Sequence, residues 1–223
     1  MQVALDFSVV LAEWRILLKG VAWTTGLTGV AAVLGVMLGV MATWVRYAKV
    51  PGMQSLAVGY IEVIRNTPFI VQLFFIFFGL PALGVKLSPE WASVIAMVIN
   101  LGAYSAEIVR AGVDATPKGH IEAAQSLALT QAHTFFYVVL PPAFRRVWPA
   151  LVSQIIIVML GSAVCGQIAT EELSFSANLI QSRNFRAFES FIIATGLYLL
   201  LAISLRALLN QIGHRFLFGG RRG

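Results

Sequence analysis

Three stretches of this sequence are long, apolar and free of charged residues. They cover residues 20–45, 66–85 and 147–170. Each matches or exceeds the roughly 20 residues that a helix needs to cross the hydrocarbon core of a bilayer. Two shorter uncharged runs, 91–106 and 190–205, can also cross if charged side chains at their ends extend toward the interface. The sequence therefore predicts five membrane-spanning helices.

Composition agrees with a membrane location. Charged residues make up 12% of the chain and hydrophobic residues 58%, whereas soluble domains carry about 25% charged residues. We expect an all-α integral membrane protein with a single transmembrane domain over residues 1–223. The predicted spans cover about residues 20–45, 56–81, 87–112, 138–168 and 190–214, and residues 1–18 are expected to form an amphipathic helix on the outer surface.

Basic residues predict the orientation. An odd number of spans places the two termini on opposite sides of the membrane. If the C-terminus is cytoplasmic, 11 of the 16 Lys and Arg residues lie in inner segments, as the positive-inside rule requires. Arg15 and Lys19, which precede the first span on the outer side, oppose this orientation, but the global count outweighs them. We expect the N-terminus outside and the C-terminus in the cytoplasm.

A water-compatible segment, residues 114–141, separates the third and fourth predicted spans. Pro117 favours a helix start. Ile121, Ala124 and Ala128 would share one face of that helix, and small residues there would allow close approach to a groove in a partner.

This segment resembles the EAA loop of ABC importer permeases, through which a membrane subunit docks on its ATPase. The family pattern is Glu-Ala-Ala, three residues, Gly, nine residues and then Ile-x-Leu-Pro. The matching positions in this chain are Glu122, Ala123, Ala124, Ala128, Val138, Leu140 and Pro141. Ala128 replaces the glycine, and alanine does not favour the left-handed conformation. We therefore expect the bend between two coupling helices to shift to residues 129–131, with Thr130 capping the second helix. The alternative is an ordinary amphipathic linker helix.

Further motifs resemble the permeases for polar amino acids, a group that includes importers of histidine, arginine, glutamine and glutamate. These motifs are Arg65-Asn66-Thr67-Pro68, Gln72-Leu73-Phe74-Phe75, Phe78-Gly79-Leu80-Pro81 and the stretch from Tyr104 to Gly112. The resemblance implies the type I ABC importer fold. It also implies a complex of two permeases, as a homodimer or a related heterodimer, with two ATPase subunits and a soluble periplasmic or surface-anchored binding protein. The expected location is the bacterial inner membrane.

The same resemblance implies that this chain is not an enzyme and binds no cofactor, because ATP and Mg belong to the partner ATPase. The sequence itself contains no Walker A motif, and its three histidines lack metal-ligand spacing. We therefore predict no catalytic and no metal site. The excess of basic over acidic residues fits cytoplasmic loops that face anionic lipid better than it fits a surface that binds nucleic acid.

Polar residues within the spans are candidates for a solute path. Thr67-Pro68 should interrupt the second span, and an interrupted helix exposes backbone groups that a polar solute can use. The alternative is a simple proline kink. The candidate residues are Arg65, Asn66, Thr67, Gln72, Asn100, Tyr104, Gln154, Ser162 and Gln167. Any one of the uncharged residues alone would more often make an interhelical hydrogen bond. Many relatives carry an acidic residue near Ser162 that this chain lacks, which weakens the transfer of a charged-substrate preference.

Glu107 lies near the inner boundary of the third span. Arg110 and Asp114 follow at i+3 and i+7, so the three side chains can share a face. We favour a salt bridge between Glu107 and Arg110 that anchors the helix above the coupling segment, with a substrate ligand as the alternative. A different class of function, a self-sufficient secondary transporter, would use Glu107 for ion coupling and would need no dock for an ATPase.

Overall fold

The computed structural model describes residues 5–217, and its elements there are helical. The α-helices are α1 Ser8–Ala12, α2 Trp14–Tyr47, α3 Met53–Arg65, α4 Phe69–Phe74, α5 Pro89–Asp114, α6 Lys118–Ser126, α7 Gln131–His133, α8 Leu140–Gly161, α9 Leu173–Asn184 and α10 Ala187–Ile212. Short π and 3-10 segments extend several of them: Phe75–Gly79 and Leu80–Leu83 follow α4, Thr134–Val139 joins α7 to α8, Ser162–Ile168 follows α8, and Gly213–Leu217 follows α10.

Five spans are present when a bent pair is taken as one of them. Four continuous stretches within the described residues are long and apolar enough to cross a bilayer: Trp14–Tyr47, Pro89–Asp114, Gln131–Ile168 and Ala187–Leu217. The fifth is the pair Met53–Arg65 and Phe69–Leu83, which meet at an angle of 112°. The all-α membrane fold with about five spans is therefore confirmed.

The predicted helix boundaries need correction at the N-terminal end. The expected amphipathic helix over residues 1–18 is divided: α1 covers Ser8–Ala12, residues 14–18 belong to α2, and residues 1–4 lie outside the described part of the chain. The first long helix begins at Trp14 rather than near residue 20. Its first turns contain Arg15 and Lys19, and Lys19 forms an ion pair with Glu171. The fourth span similarly begins at Gln131 instead of residue 138.

The break predicted at Thr67-Pro68 is present. Pro68 has an extended backbone (φ −63°, ψ 141°) and directly precedes α4. A proline cannot donate a backbone hydrogen bond, so carbonyl groups around the break between α3 and α4 need other partners. The side-chain amide of Gln72 supplies them, since Nε2 donates to the carbonyl oxygens of Ile64 at 2.8 Å and Thr67 at 3.0 Å. The break is thus a fixed feature of the fold.

Helices α2 and α5 approach closely through small residues. A side chain at Gly39 would place its Cβ 2.6 Å from the Cβ of Ser105, so only glycine fits there. The hydroxyl of Thr43, one turn further along α2, donates to the carbonyl oxygen of Ala106 at 3.0 Å. Small residues and interhelical hydrogen bonds are the usual means of joining helices in a membrane. This contact fixes the position of α5, which carries the candidate residues Asn100, Tyr104, Glu107 and Arg110.

The opposite end of the bundle from α6 is organised around α9, which was not among the predicted elements. Glu172 precedes α9 and caps it: its carboxylate accepts hydrogen bonds from the backbone N–H groups of Ser174 at 2.8 Å and Phe175 at 2.7 Å. The Tyr198 hydroxyl of α10 donates to the same carboxylate. Burial raises the pKa of the Glu172 carboxyl above its ordinary value. One buried side chain therefore joins α9 to the last span.

Candidate coupling surface and translocation cavity

The segment after α5 forms one short helix, and the second helix that the sequence predicts continues without a break into the fourth span. The first is α6, which begins right after Pro117. The second begins at Gln131 and is capped by Thr130, whose hydroxyl oxygen accepts a hydrogen bond from the backbone N–H of His133 at 3.3 Å. The predicted cap at Thr130 is confirmed.

The bend between these helices lies at Ala128, and the predicted shift to residues 129–131 is wrong. Ala128 has φ 54°, in the left-handed region. Its N–H bonds to the carbonyl oxygen of Gln125 at 2.9 Å, and the N–H of Leu129 bonds to that of Ala124 at 3.1 Å. These two bonds form a Schellman motif. They satisfy the free carbonyls at the end of α6 and offset the steric cost of a left-handed alanine.

The exposed face of helix α6 is not the face that the sequence predicted for contact with a partner. Ala124 is only 3% exposed, and Ile121 packs on a hydrophobic cluster that includes Phe135 and Val139. Ala124 therefore lies against this chain rather than in a partner's groove, and Ala128 lies beyond the helix. The exposed positions of α6 and its end include Glu122, Ala123 and Leu127.

Leu127 was missed by sequence reasoning. Its side chain is 75% exposed, although it follows directly on a helix of polar character. A leucine beside an alanine-rich motif carries no signal by itself, because either side of the helix could be buried. At the other end of the predicted segment, Leu140 packs on the same cluster as Ile121, while Pro141 is exposed in the first turn of α8.

Glu107 connects three helices at the end of the bundle that carries α6. Its carboxylate accepts a hydrogen bond from Arg46 of α2 and another from Nη2 of Arg110 at 2.8 Å. Arg65, the last residue of α3, lies 3.7 Å away. Arg110 also contacts Asp114 at 2.6 Å. The anchoring contact between Glu107 and Arg110 is present, and Arg46 was missed because it is 61 residues away in sequence.

Two cavities lie side by side along α5. The first, of about 350 Å³, is at the helix break and is lined by Thr67, Pro68, Phe69, Asn100, Tyr104, Gln154, Ile157, Val158 and Gly161. The second, of about 330 Å³, is lined by Arg65, Tyr104, Glu107, Ile108, Ala111, Val147, Ala150 and Gln154. Tyr104 and Gln154 border both cavities. Five of the nine predicted path residues therefore meet here: Arg65, Thr67, Asn100, Tyr104 and Gln154.

The other four predicted path residues have different positions. Gln72 is buried and is engaged in bracing the break. Asn66 is exposed, and its side-chain amide donates to the carbonyl oxygen of Glu62 at 2.8 Å. The Ser162 hydroxyl is buried and donates to the carbonyl oxygen of Met159 at 2.7 Å. Gln167 is exposed and lines neither cavity.

Comparisons with known proteins agree with these features. A family model described as "Binding-protein-dependent transport system inner membrane component" matches residues 33–217. The L-cystine transport system permease protein TcyB of Bacillus subtilis is 37% identical over 77% of this chain and 73% of that protein. The glutamine transport system permease protein GlnP of Escherichia coli K12 is 33% identical over 94% of this chain and 97% of that protein.

Solved structures give the same fold. The crystal structure of an amino acid ABC transporter with histidines superposes with a TM-score of 0.85 at 34% identity, covering 96% of this chain and all of that one. An inward-facing structure of the MetNI methionine ABC transporter superposes with a TM-score of 0.72 at 20% identity, which supports the fold alone. This multi-pass membrane protein belongs to the family of binding-protein-dependent transport system inner membrane components and is an amino acid ABC transporter permease.

Proposed function

We propose that this chain is the subunit through which an ATP-driven importer moves a polar amino acid, delivered by a soluble binding protein, into the cytoplasm. The observation that carries the proposal is the continuity of one helix. Asn100 and Tyr104 of α5 line the first cavity, Glu107 of the same helix lines the second, and α6 begins four residues after α5 ends. A displacement of α6 is therefore transmitted to the cavity walls.

The exposed face of α6 is the proposed dock for the ATPase. Glu122 is exposed, and no hydrogen bond or ion pair engages its carboxylate among residues 5–217. A free carboxylate beside the exposed Leu127 combines a charge for complementary pairing with an apolar anchor. ATP and Mg would bind on the ATPase subunits, so this chain performs no catalysis.

The polar substrate class is supported by the cavities and by the relatives. The residues around the break offer amide, hydroxyl and guanidinium groups within a mostly apolar wall, as expected for a site that binds a small polar solute. The relatives transport cystine, glutamine and arginine by name. A second permease, the same or a related chain, would complete the path, and membrane lipid would surround both.

The proposed orientation places the α6 end in the cytoplasm and the α9 end outside. The excess of basic residues in segments on the α6 side supports it. The ATPase then docks from the cytoplasm, and the binding protein approaches the α9 end.

A secondary transporter that uses Glu107 for ion coupling is not favoured. The carboxylate is already engaged by Arg46, Arg65 and Arg110 within the chain. Such an arrangement suits an anchor between helices, and a coupling carboxylate would need access to an exchanging ion.

Co-purification tests the docking role. The chain, isolated from its native membrane in mild detergent, should bring down an ATPase, and Glu122→Lys should insert normally but lose that ATPase because the charge reversal disrupts complementary pairing. Glu62→Lys is the matched control, since Glu62 is an exposed carboxylate on α3. Equal ATPase recovery with both variants would contradict the proposed dock.

A further inference from the structure

Arg65 occupies an unusual place among the charged residues at the α6 end. Three guanidiniums, of Arg46, Arg65 and Arg110, surround the carboxylates of Glu107 and Asp114. Arg46 and Arg110 make close contacts with these carboxylates, whereas Arg65 stays 3.7 Å from Glu107. The cluster therefore has one positive charge in excess, and Arg65 is the least engaged of the three cations.

The free side of Arg65 faces the second cavity. Its side chain is 43% exposed, and its guanidinium carbon lies 5.7 Å from the centre of the Tyr104 ring. Stacking on an aromatic ring holds a guanidinium in place while leaving its N–H donors available. Tyr104 and Gln154 line the same cavity, and among the described residues neither the Tyr104 hydroxyl nor the Gln154 amide has a hydrogen-bond partner.

We propose that Arg65 binds the α-carboxylate of the transported amino acid as it passes from the first cavity into the second. This inference rests on the proposed function and adds the chemical group that is recognised and the residue that recognises it. A carboxylate fits because it accepts two parallel N–H bonds from one guanidinium and neutralises the excess charge. The Gln154 carbonyl oxygen and the Tyr104 hydroxyl can accept hydrogen bonds from the substrate's ammonium group. Recognition of these two groups is independent of the amino acid's side chain.

The test measures binding to the purified permease–ATPase complex in the absence of binding protein, because a binding protein would impose its own selectivity. The probes are L-arginine and L-glutamine, each paired with its α-carboxamide, in which a neutral amide replaces the carboxylate. The variants are Arg65→Gln and Arg65→Lys. Arg145→Gln is the matched control, since Arg145 is an exposed arginine that lines neither cavity.

We expect the wild-type complex to bind at least one free acid about 10- to 100-fold more tightly than its carboxamide, the range typical of a charge-assisted hydrogen bond. Arg65→Gln should lose most of that ratio by weakening the acid alone, Arg65→Lys should retain part of it, and Arg145→Gln should retain all of it. If Arg65→Gln does not assemble, the ratio in Arg65→Lys decides, because lysine keeps the charge but loses the paired geometry.

The inference is overturned if the wild type does not prefer either acid, or if an Arg65 variant keeps the full ratio. The proposed function is judged separately, by ATP-dependent uptake of amino acids when the same wild-type complex is supplied with its binding protein. Uptake without a carboxylate preference would remove the role of Arg65 and leave the permease function intact.

Discussion

Asn100 of α5 donates a hydrogen bond from Nδ2 to Oε1 of Gln72 of α4 at 3.0 Å. The Nε2 atom of the same Gln72 amide donates to the carbonyl oxygens left free at the break between α3 and α4. The break is therefore linked to the helix that leads to the coupling segment. We therefore expect a shift of α5 to move the interrupted backbone, which lines the first cavity.

Replacing Gln72 should destabilise the permease. Gln72→Leu keeps a similar volume but leaves the carbonyl oxygens of Ile64 and Thr67 without the amide donor, and each unsatisfied buried polar group costs about 1–3 kcal/mol. The thermal unfolding midpoint of the detergent-purified chain should fall. Gln167→Leu is the control, because Gln167 is exposed, and it should leave the midpoint unchanged. An unchanged midpoint in Gln72→Leu would show that the brace is unimportant.

Ala128→Gly should stabilise the coupling segment. The left-handed backbone at Ala128 disfavours any side chain, and glycine removes that cost while losing part of the gain through its freer unfolded state, so we expect a net gain of up to about 1 kcal/mol. Ala123→Gly, within α6, should have the opposite sign because glycine weakens helices. The thermal unfolding midpoints of both variants test this prediction. A lower midpoint for Ala128→Gly than for the wild type would contradict the bend at Ala128.

The two alanines of the EAA motif should respond differently to enlargement. Ala124→Leu forces extra volume into a buried contact and should destabilise the isolated permease by about 1–3 kcal/mol. Ala123→Leu enlarges an exposed position and should leave the stability of the isolated permease unchanged, while impairing recovery of the ATPase. Equal stability of the two isolated variants would contradict the buried position of Ala124 against the rest of this chain.

Much of the fold could be predicted from the sequence because a helix that crosses a membrane requires a long run of uncharged, apolar residues. The break was predictable at Thr67-Pro68 because proline acts locally. The buried side of α6 could not be predicted, because Ala123 and Ala124 are chemically alike. The two sides are distinguished by the packing of Ile121 on Phe135 and Val139. The bend at Ala128 was not predicted because alanine disfavours the left-handed conformation. In the structure, two backbone hydrogen bonds outweigh that preference.

The candidate site was predicted in part for similar reasons. Polar residues are rare in membrane spans, so the sequence alone indicates Asn100, Tyr104 and Gln154 as candidates. The structure places all three along the cavities. Their individual tasks depend on contacts between helices. Gln72 and Ser162 are equally polar in sequence, yet their hydrogen bonds stay within the chain. Arg46 reaches Glu107 only because α2 packs against α5, and this packing cannot be read from the sequence near either residue.

Glu107→Gln should weaken the connection between the three helices. The ion pairs are partly buried, with 18% of the Glu107 side chain exposed, so we expect a loss of about 1–3 kcal/mol in permease stability, between the values for surface and buried pairs. ATP hydrolysis should become less well coupled to transport. The order of preference among acidic, neutral and basic amino acids, measured by uptake competition, should not change. A changed order would move Glu107 from an anchoring role into substrate selection.

Asp114→Asn is the matched control for Glu107→Gln. Among the described residues, the one ion pair of Asp114 is with Arg110, and its side chain is largely exposed, so this ion pair contributes little to stability. A similar loss of coupling in both variants would indicate a general charge effect and would contradict the specific role of Glu107.

The central claim is that this chain moves an amino acid only as part of an ATP-driven complex, and uptake into proteoliposomes tests it most directly. The chain is reconstituted alone and together with the ATPase that co-purifies with it, and uptake of labelled amino acids is followed with binding protein outside and with ATP or a non-hydrolysable analogue inside. The account predicts accumulation only with the ATPase and hydrolysable ATP, and none when the chain alone is given a proton or sodium gradient. Accumulation by the chain alone under such a gradient, without ATP, would contradict it.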